Sequence, residues 1–239
     1  MKRVVAVIQA RTGSSRLPGK VLKPLYGAMS LLEFQCRRLR SMSGVDELVV
    51  ATTDRPEDDA ITGLVTSLGL RVVRGSNADV LSRFVAAADA TLATTLIRVT
   101  SDSPLRDRGV IEACLAHHVA HGLEYTRPER DALPKGLRAE VVEADVLRQL
   151  DADPATTARE REHVTIAIRE NPQRYRCGAP DFAPELARPD YDLSVDTPDD
   201  LVFVRGVWEA LSARGWPCDA RHICALLDVR AQSLEEAAG

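Results

Sequence analysis

Three cations, Arg11, Arg16 and Lys20, stand within ten residues of one another in QARTGSSRLPGK, interleaved with Gly13, Gly19, Thr12, Ser14 and Ser15. Glycines let backbone N–H groups approach a ligand, hydroxyls add donors, and like charges at this density need an anion to offset their repulsion. The turn is therefore suited to a polyphosphate. Val21 follows Lys20, so the G-x-x-x-x-G-K-[ST] pattern is absent, and so is G-x-G-x-x-G; neither the ATPase loop nor the dinucleotide fingerprint applies. A plain polar loop after a strand is the bland alternative, and it leaves the clustering of charge unexplained.

Two carboxylates could complete such a site. Asp102, in RVTSDSPL, and Asp196, in SVDTPDDL, each end a strand-like run with nothing nearby in the sequence to neutralise them. Carboxylates beside phosphates are a ligand set for Mg²⁺, which takes one or two protein carboxylates and keeps several waters. Either aspartate could instead cap the helix that follows it.

Other candidates carry less. Arg161, Glu162 and His163 in EREHVT form a charged patch at a helix start, open to acceptor binding, a subunit contact or a solvated face. Cys218, His222 and Cys224 lack zinc spacing and a fourth ligand, which favours packing. His117, His118 and His121 share one helix with no carboxylate placed beside them and read as surface histidines. The DAD at 151–153 falls in a polar linker, not after a strand where a glycosyltransferase would place its metal motif.

The elements that must position these groups alternate. Apolar, β-branched runs at 4–10, 47–53, 70–75 and 94–100 read as strands buried on both faces, separated by helices at about 29–42, 57–69, 79–91 and 107–121. Repeated β-α units predict a mainly parallel sheet with helices on both faces, an α/β fold whose ligands gather at the carboxyl ends of the strands. That edge would carry the cationic turn, Asp54, Arg74 and Asp102. The second half is less regular: a linker at 151–158, a helix at about 157–170, a last strand near 191–196, a helix opened by Pro198, and a tail expected to fray from Ala231. One domain over 1–230 accounts for the whole.

A net charge of −4 over 239 residues argues against a nucleic-acid binder that works by general electrostatics, so any anion site is local. The apolar start is too short for a signal sequence or a membrane span. Five cysteines without a C-x-x-C suit a reduced, cytoplasmic protein.

QARTGSSRLPGKVLKPL, VVATTDRPEDD, GSNADVLSRF, RVTSDSPL, EREHVT and VDTPDDL occur in an order that resembles the cytidylyltransferases acting in spore-coat polysaccharide, sialic acid and 3-deoxy-manno-octulosonate pathways. The resemblance implies a Rossmann-like nucleotidyltransferase that binds CTP, transfers CMP and releases pyrophosphate. It implies Lys20 and Arg11 as catalytic cations and Mg²⁺ held by Asp102 and Asp196. The nucleotide would lie against Ala10, Arg11, Thr12, Gly13, Ser14, Arg16, Lys20, Thr53, Asp54, Ser76, Arg83 and Ser101. A homodimer is implied too, with a small β/α insertion at about 139–178 as its interface. The acceptor would meet Lys135, Arg138, Glu140, Arg161 and His163.

The chain departs from that family at LPKGLRAEV, where sugar-acid relatives carry a PDGLD-like segment. Lys135 and Arg138 in that place suit a small acceptor of high negative charge, such as phosphonoformate. Transfer to a 2-keto sugar acid is the alternative, and a non-catalytic nucleotide-binding protein is a second one.

Overall fold

The computed structural model describes the backbone of residues 2–238 and the side chains of residues 2–233. Its elements are β1 (Val4–Gln9), β2 (Pro24–Tyr26), β3 (Met29–Ser30), α1 (Leu31–Leu39), β4 (Glu47–Thr53), α2 (Asp59–Ser67), β5 (Arg71–Gly75), α3 (Val80–Thr91), β6 (Thr95–Thr100) and α4 (Arg108–Ala120) in the first half. The second half adds β7 (Tyr125–Thr126), β8 (Glu140–Glu143), α5 (Ala144–Ala152), α6 (Ala158–His163), α7 (Ile166–Glu170), β9 (Cys177–Gly178), α8 (Pro198–Ala213) and α9 (Ala220–Ala238). A seven-stranded sheet runs β5-β4-β1-β6-β8-β7-β9. The first four of these strands are parallel, and β8 joins β6 antiparallel.

Alternation along β1 shows why the runs are apolar throughout. Val4, Ala6 and Ile8 enter one core with α1, α4 and α8, while Val5 and Val7 enter a second core with α3 and α5. Leu96 and Ile97, and Val141 and Val142, divide in the same way. Side chains two residues apart share a face, so a strand covered by helices on both sides needs apolar residues at every position.

Three expected elements differ. The helix expected over 29–42 starts at Leu31, because Met29 and Ser30 pair with β2 and the Ser30 hydroxyl accepts from Glu33 N. No strand forms at 191–196. That segment is extended and is held by single bonds: Lys135 N–H to Tyr191 O at 2.9 Å, Leu193 N–H to Lys135 O at 2.9 Å, and Val195 N–H to Asp102 O at 2.7 Å. Gly136, at φ +96, makes this contact possible, since a Cβ there would lie 2.9 Å from the Leu193 carbonyl carbon.

The helix expected over 157–170 is two helices, α6 and α7. Val164 sits between them at φ +57, ψ −61, and Thr165 N–H donates to His163 O at 2.6 Å. This is a γ-turn of the positive-φ kind, rare and strained for a β-branched residue, and it is held by the complete burial of Val164. At the other end of the chain, α9 carries the backbone expected to fray from Ala231 as helix to Ala238, and Gly239 lies outside the described residues.

Candidate active site

The parallel strands deliver their carboxyl ends to one edge, and there the turn after β1 folds back on itself. Ser14 N–H and Gly19 N–H both donate to Thr12 O, at 2.8 and 2.9 Å, and Gly19 at φ +67 leads into a short 3₁₀ turn over Lys20–Leu22. The turn is anchored by Asp58, which sequence reasoning missed. Its Oδ1 accepts from Thr12 N–H at 2.8 Å and Thr12 Oγ1 at 2.7 Å, and its Oδ2 accepts from the Thr53 hydroxyl. Burial would raise the Asp58 carboxyl, but these bonds outweigh it and hold the group below its ordinary range. Thr12 and Thr53, expected to touch the nucleotide, both turn their hydroxyls to Asp58, and neither lines the cleft described next.

A cleft of about 510 Å³ opens above this turn, lined by Gln9, Ala10, Arg11, Gly13, Ser14, Ser15, Arg16, Lys20, Arg83, Arg98, Thr100, Ser101, Asp102, Glu162, His163 and Asp196 among others. Gly13 faces open space, as a backbone meant to receive a ligand should. Arg11 reaches Asn77 O at 3.3 Å and lies 3.9 Å from Glu162. Arg83 is almost fully buried, and its Nε and Nη1 have no partner among the described residues. Burial first and the Arg11 charge second depress its pKa. A buried guanidinium with idle donors is costly unless an anion or carbonyl meets it, which the cleft's ligand could do. Gly75 gives that side chain its room, since a Cβ there would meet Arg83 Cγ at 3.0 Å. Asp54 and Ser76 do not line the cleft: Asp54 is exposed, and the Ser76 hydroxyl accepts from Asp79 N–H at 3.2 Å ahead of α3.

Asp196 is not unneutralised, as its sequence neighbourhood suggested. Lys20 Nζ lies 2.9 Å from Oδ1 and 2.7 Å from Val195 O, and Arg16 Nη2 lies 2.9 Å from Oδ2. Burial would raise the Asp196 carboxyl, and the Lys20 hydrogen bond and charge, with Arg16, outweigh it and lower the pKa. Neither aspartate is a cap. Thr197 caps α8 and Asp107 caps α4, while Asp102 Oδ1 accepts from Thr100 Oγ1 at 2.6 Å and Ser103 Oγ at 3.0 Å. The Val195 to Asp102 backbone bond brings the two carboxylates to one place. No group of three or more His, Cys, Asp or Glu side chains suited to a metal occurs among the described residues. Two carboxylates beside a cationic turn still fit Mg²⁺, which takes one or two protein carboxylates and keeps several waters.

A second cavity of about 320 Å³ continues from the first and shares Arg98, Thr100, Asp102 and Asp196 with it. Its walls add Arg106, Arg127, Lys135, Arg138, Glu140 and Arg169. Of the expected acceptor residues, Lys135 is paired with Asp192 at 2.6 Å, and Arg138 donates to Leu133 O at 3.2 Å. Glu140 is buried and fully engaged with Arg98, Tyr125 and Thr165, which holds its carboxyl down at about 2 although burial would raise it. Arg161 is not at the cavity. It ties α6 to α3 and α5 through Asp79 and Asp151, both at 2.8 Å. His163 does line the cleft, at the end of α6 just before the γ-turn.

His118 corrects the surface reading of its helix: it is fully buried between Thr126 Oγ1 and Glu143 Oε1, each at 3.0 Å. His222 pairs with Asp219 at 2.8 Å.

Parallel strands, a cationic turn after the first and two carboxylates at the same edge define a nucleotidyltransferase-like class of site. The model of the cytidylyltransferase family matches residues 5–213, and the chain belongs to that family. It is 34% identical over 218 residues to the spore coat polysaccharide biosynthesis protein SpsF of Bacillus subtilis, covering 90% of each chain. It is 34% identical over 114 residues to 3-deoxy-manno-octulosonate cytidylyltransferase 2 of Hydrogenovibrio crunogenus, covering 46% of this chain and 44% of that one. Among solved structures, a cytidylyltransferase from Leptospira borgpetersenii superposes with a TM-score of 0.85 at 24% identity, covering 97% of this chain and 96% of the other. A CMP:2-keto-3-deoxy-manno-octonic acid synthetase complexed with CTP superposes at 0.62 and 20% identity, covering 87% of this chain and 99% of the other. These likenesses carry the fold. None of these relatives is named for a phosphonate, and the pairing of Lys135 with Asp192 weakens the sequence argument for one. No helix among the described residues is long and apolar enough to cross a membrane.

Proposed function

We propose that this protein is a CTP-dependent cytidylyltransferase that transfers CMP to a 2-keto sugar acid. The observation that carries the reading is the pair of continuous cavities meeting at Arg98, Thr100, Asp102 and Asp196, one lined by the cationic turn and the other by further guanidinium groups. A triphosphate fits the first and an anionic acceptor the second. The names of the 3-deoxy-manno-octulosonate relatives support the sugar acid over phosphonoformate.

The acceptor hydroxyl gives its proton to solvent water and attacks the α-phosphorus of CTP, a new P–O bond forms, the bond from that phosphorus to the bridging oxygen breaks, and pyrophosphate leaves. Lys20 and Arg11 offset the charge that spreads over the phosphoryl oxygens in the transition state. Lys20 gives up Asp196 to do so. Asp102 and Asp196 would hold Mg²⁺, which when bound supplies Lewis-acid polarisation of the phosphate and a lowered pKa for the attacking hydroxyl. Arg83 and the backbone of the turn hold the nucleotide in line.

A homodimer through residues 139–178 belongs to the same reading, supported by β9, which among the described residues ends the sheet and pairs with β7 alone. Pyrophosphate release is the test, with CTP offered alongside 3-deoxy-manno-octulosonate, N-acetylneuraminate or phosphonoformate. Release with a sugar acid is expected; release with phosphonoformate alone would overturn the acceptor, and tight CTP binding with no release would point to a non-catalytic protein.

A further inference from the structure

Of the four residues at which the two cavities meet, Arg98 is the only cation. Its side chain is 14% exposed, and it is fixed from two sides: Nε donates to Gln9 Oε1 at 3.1 Å and Nη1 to Glu140 Oε2 at 2.7 Å. Glu140 is itself held by Tyr125 OH at 2.8 Å and Thr165 Oγ1 at 3.0 Å, and Thr165 is set in place by the strained γ-turn at Val164. Among the described residues Nη2 of Arg98 has no hydrogen-bond partner. A guanidinium held at both Nε and Nη1, with Nη2 left for the cavity, is preorganised for one more anion.

The chemistry of the acceptor says which anion. In a 2-keto sugar acid, in its cyclic form, the attacking hydroxyl and the carboxylate sit on the same carbon. Wherever that hydroxyl meets the α-phosphorus, the carboxylate must lie beside it, at the junction of the cavities. Asp102 and Asp196 are also there, engaged with Lys20, Arg16 and the proposed Mg²⁺, which leaves Arg98 as the cation common to both cavities that can meet the acceptor's own charge. Lys20 and Arg16 line only the first cavity, where they pair with Asp196. Arg106, Arg127, Arg138 and Arg169 line only the second, where they can meet the rest of the sugar.

We propose that Arg98 binds the acceptor's carboxylate through Nη2 at the junction of the two cavities, and that Glu140 is the positioning residue that holds it there. This rests on the sugar-acid reading above.

The test compares 3-deoxy-manno-octulosonate with its C1 carboxamide as acceptors for the wild-type protein, for Glu140→Gln, and for Arg98→Gln combined with Glu140→Gln, which removes both buried charges together so that neither is left unpaired. The thermal midpoint of each variant reports folding. The wild-type protein should favour the carboxylate by about tenfold or more in kcat/KM, the size of a charge-assisted hydrogen bond. The double variant should show no preference, and Glu140→Gln a reduced one, with KM for CTP little changed in both. A double variant that folds and still prefers the carboxylate as strongly as wild type overturns the assignment while leaving the sugar-acid reading intact. A wild-type protein that uses neither of these acceptors nor N-acetylneuraminate overturns the sugar-acid reading, and this assignment with it.

Discussion

Lys20 Nζ and Asp196 Oδ1 are 2.9 Å apart, with Arg16 on the other carboxylate oxygen, so a proposed phosphate-binding cation and a proposed metal-binding carboxylate neutralise each other. A ligand entering the cleft must divide this pair. A triphosphate bound as proposed would compete with Asp196 for Lys20, and Mg²⁺ would compete with Lys20 for Asp196. Each ligand therefore lowers the cost of admitting the other.

This pairing separates the two aspartates by an equilibrium measurement. In EDTA, Asp196→Asn should bind CTP about fivefold more tightly than wild type, because Lys20 and Arg16 no longer have to leave a carboxylate in a partly exposed pair. Asp102→Asn should not, since Asp102 takes its bonds from the Thr100 and Ser103 hydroxyls. Both variants should lose most turnover in Mg²⁺. Calorimetric titration of CTP into the three proteins decides it, and equal affinities throughout would mean that the Lys20 to Asp196 contact does not oppose nucleotide binding.

Lys20→Ala should reduce kcat at least a hundredfold with a smaller rise in KM for CTP. A cation aimed at developing charge contributes on the order of 3 kcal/mol in the transition state and less in the ground state. Steady-state kinetics separates the two. Equal losses in binding and turnover would assign Lys20 to ground-state grip alone.

Much of this was legible in the chain. The four parallel strands could be read from their β-branched apolar runs, although only β1, β4 and β6 are buried on both faces, and β5, at the sheet edge with Arg71 and Arg74, is half-exposed. Lys20, Arg16 and Asp102 could be placed on one edge because they follow parallel strands, whereas Asp196 reaches that edge without the strand expected before it. What could not be read is who pairs with whom across long separations. Asp58 lies 46 residues from Thr12, and Arg98 lies 42 from Glu140. Asp58 sits in PEDD, where its neighbours look equally suited to capping, and only the fold turns it inward. Arg98 was hidden inside a strand, a position that reads as core. The break at Val164 was invisible because Val and Thr between two helical stretches carry no breaker signal, and a positive φ at a valine is imposed by tertiary packing.

Asp58→Ala should loosen the nucleotide turn and destabilise the fold together. It leaves the Thr12 N–H and the buried Thr53 hydroxyl without their acceptor, a loss of about 1–3 kcal/mol per unsatisfied buried group. KM for CTP should rise severalfold, and urea unfolding should show a lower midpoint with an unchanged slope. Loss of stability with an unaltered KM would mean that the turn keeps its shape without this anchor.

The last prediction follows from Glu140, whose carboxyl is held at about 2 against an ordinary 4.5. Burial acts to raise it, and the Arg98 charge and hydrogen bond, the Arg169 charge and the Tyr125 hydroxyl overcome that. Because the folded-state pKa lies below the unfolded one, the ionised group stabilises the fold fully above about pH 4.5, and the contribution is lost as pH falls towards about 2. A shift of this size corresponds to about 3 kcal/mol at neutral pH. Glu140→Gln should therefore be less stable than wild type at pH 7 by about that amount, with Arg98 left facing a neutral partner, and the gap should narrow steadily between pH 4.5 and 2. Asp58 and Asp196 are lowered too and remain in both proteins, so their acid losses cancel in the difference. Urea unfolding of the two proteins at pH 7, 5, 4 and 3 measures that difference. A gap that stays constant down to pH 3 would place the loss in packing around the side chain instead of in its charge, and would remove the electrostatic reason for the fixed position of Arg98.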